Sequence, residues 1–356
     1  MSTTPVTLGF RRWTAGREGV PRPLDPPTDG PLIDRYGRVH HDLRISVTDR
    51  CNLRCSYCIT DDSISFLPRD EVLSFDEIIR VARVARTLGV TSVRLTGGEP
   101  LVRKDLPRLV GRLTDLGFDD LALTTNGMLL APVATALAAA GLHRVNVSCD
   151  SLQSARFSAI RRRGNLETVL RSMTAAEAAG LTPLKVNVVV VRGVNDDEIL
   201  DFAAFGRSKR RIVRFIEFMP LDSGGAWDMQ CLVPGAEIVE RISARYPLVP
   251  VVDRDPRAPA QSFRYEDGEG EVGLIASVTQ PFCGDCDRLR LTADGAIRSC
   301  LFSDNEFDVR TVLRQGGTDD DVAQTMRAAI WGKPAGHQIN QPGFVPPFRS
   351  MSMIGG

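Results

Sequence analysis

The chain has no excess of either charge: 44 Lys and Arg balance 44 Asp and Glu over 356 residues. No global field therefore favours nucleic acid or an acidic membrane, and an anionic ligand needs a local basic cluster. It has no apolar run near the roughly 20 residues that span a bilayer. The longest apolar patch, 186–191, is interrupted by Asn187. Arg11-Arg12 resembles a twin-arginine export signal, but Trp13-Thr14-Ala15-Gly16-Arg17-Glu18 stands where an apolar stretch belongs. The reducing cytoplasm is the expected location. No G-x4-G-K-[ST] phosphate loop occurs, so a bound nucleotide would be held by side chains. Internal repeats beyond a β/α unit and low-complexity segments are also missing.

What remains is an ordinary globular composition, 43% hydrophobic and 25% charged, long enough for one large barrel or two domains. Its eight cysteines are the unusual feature. Six fall into two groups at metal-ligand spacing, which argues against a disulfide framework. Cys51, Cys55 and Cys58 form C-x3-C-x2-C directly after an apolar, strand-like run. Three thiolates on one short loop suit three corners of a 4Fe–4S cube. With no fourth cysteine nearby, one iron is left for a small molecule, and an open metal position is where chemistry happens. The second group, Cys283, Cys286 and Cys300, reads as a structural zinc site or as a second open cube. Zinc wants four ligands, and the conceivable fourth, His337, lies far along the chain. Cys149 and Cys231 stand alone; Cys149 is expected to be a buried, inert thiol and Cys231 incidental.

Residues 1–40 read as a weakly structured, proline-broken extension. Strand-like runs then recur at 43–48, 92–96, 121–125, 144–149, 184–191 and 212–217, with helix-period stretches between them. Ser74-Phe75-Asp76-Glu77 marks a helix start and Gly89 its stop. Six strand–helix units in series predict an α/β fold with a parallel sheet, as a partial (β/α)6 TIM-like barrel over 41–222; a doubly wound open sheet is the alternative. Residues 223–356 read as an α+β region carrying the second cysteine group. It has a helix at 234–245, strands at 247–253, 261–266, 272–278 and 288–292, and helices near 308–315 and 320–331.

Polar clusters collect at the C-terminal ends of the predicted strands: Thr96-Gly97-Gly98-Glu99-Pro100, Thr124-Thr125-Asn126-Gly127, Ser148-Cys149-Asp150-Ser151 and Glu217-Phe218-Met219-Pro220. In parallel barrels that face is the catalytic one. Gly97-Gly98 would let the backbone approach a ligand or simply make a tight turn, and Glu99 could accept from an ammonium group. Arg44, Arg94, Lys185 and Arg214 lie in or near strands. If they face inward they require a polyanion such as a triphosphate; if outward, they meet solvent. Arg288 and Arg290 share one face of a strand beside the second cysteines. The terminal Gly355-Gly356 is either a disordered tail or a thread for a narrow cavity.

From about Leu43 to Gly356 the chain resembles the GTP 3′,8-cyclases of molybdenum-cofactor biosynthesis, a family of radical S-adenosylmethionine (SAM) enzymes. The likeness rests on the first triplet with Tyr57, Arg94-Leu95-Thr96-Gly97-Gly98-Glu99-Pro100, Thr124-Thr125-Asn126-Gly127 and Asn146-Val147-Ser148-Cys149-Asp150-Ser151-Leu152. It also rests on Lys185-Val186-Asn187, the Arg214–Met219 run, Phe282–Arg290 and the Gly-Gly end.

This resemblance implies two 4Fe–4S clusters, a SAM cofactor and GTP as substrate. Cys51, Cys55 and Cys58 would carry the SAM cluster, with Tyr57, Gly98, Ser148 and Met219 against SAM. Cys283, Cys286 and Cys300 would carry the substrate cluster, with Arg44, Arg94, Thr124, Lys185, Arg288, Leu289 and Arg290 against GTP and Arg214 as an addition. Arg288, Arg290, Gly355 and Gly356 are the implied catalytic positions. The implied reaction has a 5′-deoxyadenosyl radical take the ribose 3′ hydrogen, after which the sugar attacks guanine C8. It further implies a flavodoxin-like or ferredoxin-like reductant, a downstream cyclic pyranopterin monophosphate synthase, and a homodimer. Nucleic acid and membrane are not expected partners. Ser92 departs from the family, which often carries a basic residue there, and this implies weaker triphosphate binding. Rival readings are a radical SAM enzyme for another substrate, a two-cluster electron carrier, and a zinc-stabilised binding module.

Overall fold

Strands in which charged and branched apolar residues alternate must present one side to a polar space and the other to a packed layer. A computed structural model describes residues 25–59, 65–221, 225, 227–253 and 255–355. Its first six strands follow that rule: β1 (Asp42–Ser46), β2 (Ser92–Thr96), β3 (Asp120–Thr125), β4 (Arg144–Ser148), β5 (Lys185–Val190) and β6 (Ile212–Glu217). Leu43, Ile45, Val93, Leu95, Leu121, Leu123, Val145, Val147, Val186 and Val213 are buried on the outer side. Each contributes about 1.5–3 kcal/mol by leaving water. Their partners are the apolar faces of α1 (Phe75–Thr87), α2 (Leu106–Thr114), α3 (Ala134–Ala139), α4 (Ser154–Arg161), α5 (Leu166–Ala178) and α6 (Ile199–Lys209). The capping box that opens α1 is formed as expected: Glu77 N donates to Ser74 Oγ at 3.2 Å and Ser74 N to Glu77 Oε2 at 2.6 Å.

The C-terminal third holds α7 (Gly235–Arg245), β7 (Leu248–Pro250), β8 (Gln261–Tyr265), β9 (Glu271–Ile275), β10 (Arg288–Leu291), β11 (Ala296–Arg298) and β12 (Phe307–Asp308). It ends with α8 (Val309–Arg314), α9 (Asp319–Trp331) and α10 (Met351–Ile354). This region is less separate than its sequence suggests. The sheet runs β12-β11-β10-β1-β2-β3-β4-β5-β6-β9-β8-β7. Strand β10 pairs parallel to β1 and β9 parallel to β6. Two strands from beyond residue 223 thus extend the six-strand barrel to eight parallel strands, one at each open edge. The sheet is open, as predicted, and the C-terminal region sits at the opening.

Residues 29–40, expected to be weakly structured, are packed down. Leu32 and His40 are fully buried, Ile33 bridges Val39, and Arg327 of α9 donates to the carbonyls of Asp29, Gly30 and Pro31. Proline excludes regular structure there, but a single hairpin-like bridge and donated carbonyl bonds do not need it. Residues 1–24, with Arg11 and Arg12, lie outside the described residues. No helix among the described residues is long and apolar enough to cross a membrane.

Candidate active site

One cavity of about 670 Å³ occupies the interior of the barrel, and both cysteine trios line it. Topology sets where each trio stands. The first follows β1, at the C-terminal ends of the strands. Strands β9 and β10 point the same way, so residues 276–287 must run back from the C-terminal to the N-terminal ends. Cys283 and Cys286 lie late in that return. Strand β11 is antiparallel to β10, with Arg290 opposite Arg298, and so brings Cys300 to the same end. The trios therefore stand toward opposite ends of one chamber. Strand-end clustering pointed to a single catalytic mouth; the functional space instead runs the length of the barrel.

At the upper end the Gly-Gly pair lines the chamber and also holds the cysteine loop. Gly98 N donates to Thr48 O at 2.7 Å and Glu99 N to Arg50 O at 2.8 Å. A Cβ on Gly97 would stand 2.6 Å from Thr48 O, and one on Gly98 would collide with Arg50 O. Glu99 is fully buried, and its oxygens already accept from Thr125 Oγ1 at 2.7 Å, Asn126 N at 2.7 Å and Leu101 N at 3.0 Å. Its expected role as an ammonium acceptor is thus reduced to what one remaining lone pair allows. Its carboxyl is pushed up by burial.

Arg161, at the end of α4, is a buried cation of this end. It donates to Cys55 Sγ at 3.2 Å and lies 2.6 Å from Asp150 Oδ2, which also accepts from Tyr57 Oη at 2.7 Å. Burial pushes up the Cys55 and Cys58 thiols, and the Cys51 thiol to about 11. For Cys58 the neighbouring Cys55 and Cys51 add to the effect. Three clustered thiols, with Cys55 opposing the ionisation of both others, are a donor set suited to a polynuclear cation, so the residues fit a cluster. Asn126 Nδ2 stands 3.9 Å from Cys51 Sγ. Sequence reasoning missed Arg161 because the run Arg161-Arg162-Arg163 looks like a solvated helix end. The available signal was its spacing from Phe157 and Ile160, the buried face of α4.

The middle of the chamber is cationic. Arg44, Arg94, Thr124, Lys185, Arg214, Arg288 and Arg290 all line it, as do Tyr57, Gly98, Ser148 and Met219. Burial and then Arg44 hold the Arg94 guanidinium down to about 9, and burial, Arg44 and Arg288 do the same to Arg290. Such crowding of like charge is relieved by a bound polyanion. Arg94 Nε, Asn146 Oδ1 and Asn187 Oδ1 are buried with no hydrogen-bond partner among the described residues. Groups of that kind call for a ligand that supplies one. Leu289 is the exception among the expected contacts. Alternation along β10 sends its side chain into the apolar layer, where it is fully buried, and Leu289 is not among the residues that line the chamber.

At the lower end, Arg38 donates to Cys283 O at 2.6 Å, Ala335 O at 3.0 Å and Pro334 O at 2.7 Å. Burial raises the Cys286 thiol, but Arg288 and then Lys333 outweigh it and bring the group to about 6. The His337 ring faces Ser277 O, 2.6 Å from Nε2, rather than completing a zinc site. Among the described residues no three His, Cys, Asp or Glu side chains are placed to hold a single metal ion. Ser92 lines the chamber beside His41, against whose ring Arg257 stands at 2.8 Å. Arg38, Lys333 and Arg257 had no signal in local sequence, because long-range folding brings each to the site.

The tail threads inward. Ser352 and Ile354 are buried, Met351 and Ser352 line the chamber, and Arg290 donates to Gly355 O. Gly356 lies outside the described residues. Cys149 is fully buried, its thiol pushed up to about 12 by that burial, and Cys231 is half-buried away from the chamber.

Residues 45–206 match the family model described as Radical SAM superfamily, and residues 211–339 match Molybdenum Cofactor Synthesis C. The chain is 46% identical to GTP 3′,8-cyclase 2 of Mycobacterium bovis, over 99% of its own length and 100% of that protein. It is 48% identical to GTP 3′,8-cyclase of Mycobacterium sp. (strain KMS), over 95% and 98%. The crystal structure of Streptococcus suis SuiB superposes with a TM-score of 0.58 at 14% identity, covering 87% of this chain and 68% of that one, a likeness of fold. Membership of the radical SAM superfamily brings with it a 4Fe–4S cluster and SAM. On these grounds the chain belongs to the GTP 3′,8-cyclase family of radical SAM enzymes.

Proposed function

We propose that this chain converts GTP to (8S)-3′,8-cyclo-7,8-dihydroguanosine 5′-triphosphate, the first step of molybdenum-cofactor biosynthesis. The carrying observation is the single chamber that both cysteine trios and the inward cations share. When bound, the first cluster and SAM supply one-electron cleavage of SAM and removal of the ribose 3′ hydrogen, so that the sugar closes onto guanine C8.

The chain's own residues bind, orient and enclose. Cys51, Cys55 and Cys58 hold the first cluster, and Tyr57, Gly98, Ser148 and Met219 border the space for SAM. Cys283, Cys286 and Cys300 would hold a second 4Fe–4S cluster on the substrate side of the chamber. Arg44, Arg94, Thr124, Lys185, Arg288 and Arg290 receive GTP between the two, its triphosphate neutralising the crowded guanidiniums. Arg288, Arg290 and the Gly355-Gly356 tail act beside the reacting atoms, and the tail keeps water from them. In this division 41–222 serves SAM and part of the GTP site, while 223–356 supplies the second trio, Arg288, Arg290 and the tail. A flavodoxin-like or ferredoxin-like donor provides electrons, a cyclic pyranopterin monophosphate synthase takes the product, and the enzyme works as a cytoplasmic homodimer.

The test is anaerobic reconstitution followed by incubation with SAM, reductant and GTP. The expected result is the cyclic product together with 5′-deoxyadenosine, and about eight irons per chain for two cubes. Cleavage of SAM with no product derived from GTP would overturn the substrate.

A further inference from the structure

Of the cysteines lining the chamber, Cys286 is the one set against a buried lysine. Lys333 lies just past the last turn of α9, where its N–H bonds Ile330 O at 2.9 Å. Its side chain is buried, and Nζ donates to Arg288 O at 2.8 Å, two residues along the chain from Cys286, whose thiolate its charge favours. Burial pulls its pKa down, and the anions that work against that fall are the thiolates of Cys286 and Cys300. The first trio differs, because its buried cation, Arg161, is already matched by Asp150 at 2.6 Å.

We propose that Lys333 is a positioning residue that raises the reduction potential of the cluster held by Cys283, Cys286 and Cys300. This rests on the reading above that a second cluster sits there. Reduction adds negative charge to a cluster, and a buried cation beside its ligating sulfurs in a dry site favours that state. Nearby Arg38 is a contrast. Asp34 pairs with it, and its other donors go to the carbonyls of Cys283, Pro334 and Ala335. Arg38 therefore fixes the loop that carries Lys333, while Lys333 supplies charge to the sulfur.

The test uses full-length protein reconstituted anaerobically, with Cys51, Cys55 and Cys58 changed to Ala so that only the second cluster contributes. Its midpoint potential is read by EPR-monitored redox titration, alongside iron per chain. Lys333→Met is expected to lower the potential by at least about 59 mV, a tenfold shift in a one-electron equilibrium, with Lys333→Arg restoring most of it. An unchanged potential in Lys333→Met, or a Lys333→Arg that behaves like Met, overturns the proposal. Should Lys333→Met hold no iron, Lys333→Arg decides: a cluster at the parent potential supports the charge role, and loss of iron there too overturns it. A parent with no iron at the second trio overturns the two-cluster reading itself, and this proposal with it.

Discussion

The guanidinium of Arg290 donates a hydrogen bond to the carbonyl of Gly355, tying the strand beside the second cysteine trio to the last turn of the chain. Gly355 can be there because it lacks a side chain. Its φ is +83°, and a Cβ would stand 2.6 Å from Thr96 Oγ1 and 2.9 Å from Ser46 Cβ. Gly355→Ala is expected to withdraw the tail from the barrel. The backbone conformation alone costs about 1–2 kcal/mol. Cyclic product should fall about tenfold or more while binding of SAM persists; turnover and SAM titrations on the same preparation check this.

Arg161 and Asp150 form the buried ion pair behind the first trio. Arg161→Met strands Asp150 as a buried carboxylate and takes a hydrogen bond from Cys55. Removing one partner of such a pair costs about 3–5 kcal/mol. Urea unfolding should show that loss, and iron retained at the first trio should fall with it. Full stability in the variant would remove the pair from any structural role.

Arg94 faces the chamber with Nε unpartnered among the described residues. If it meets the triphosphate, Arg94→Met forfeits a charge-assisted bond of about 1.5–3 kcal/mol. GTP should bind roughly 10- to 100-fold more weakly, at about 1.4 kcal/mol per decade. SAM affinity should stay as it was. Calorimetric titration of each ligand separates the two.

His40 is fully buried in the N-terminal segment, and burial, then Lys333 and Arg38, hold its pKa well below the ordinary 6.5. The unfolded chain therefore takes up this proton more readily than the folded one. Its contribution to stability is complete above about pH 6.5 and is lost as pH falls from there toward the folded value. The urea midpoint should drop between pH 7 and 5.5, and drop less in His40→Leu. An equal drop in both proteins would remove His40 from the account.

The strand–helix alternation was legible because its periodicities are local: all six barrel strands lie within a residue or two of their expected bounds, and 92–96 and 212–217 match residue for residue. The short strands β11 and β12 were not legible, since they are held by pairing to β10 and to each other rather than by pattern. Arg44 and Arg94 were ambiguous for the same reason. Alternation says that they share a face, but not whether that face turns inward.

The sequence by itself determined the two cysteine trios, the parallel α/β core and the family, because spacing and period are properties of neighbouring residues. Only the tertiary structure decided that the trios stand at opposite ends of one chamber, that Leu289 turns away from it, and that residues 29–40 brace the second trio through Arg38. Those facts depend on which edge strands β9 and β10 join. That choice rests on contacts such as Val213 with Val272 and Asp42 with Arg288, far apart along the chain, which no local pattern records.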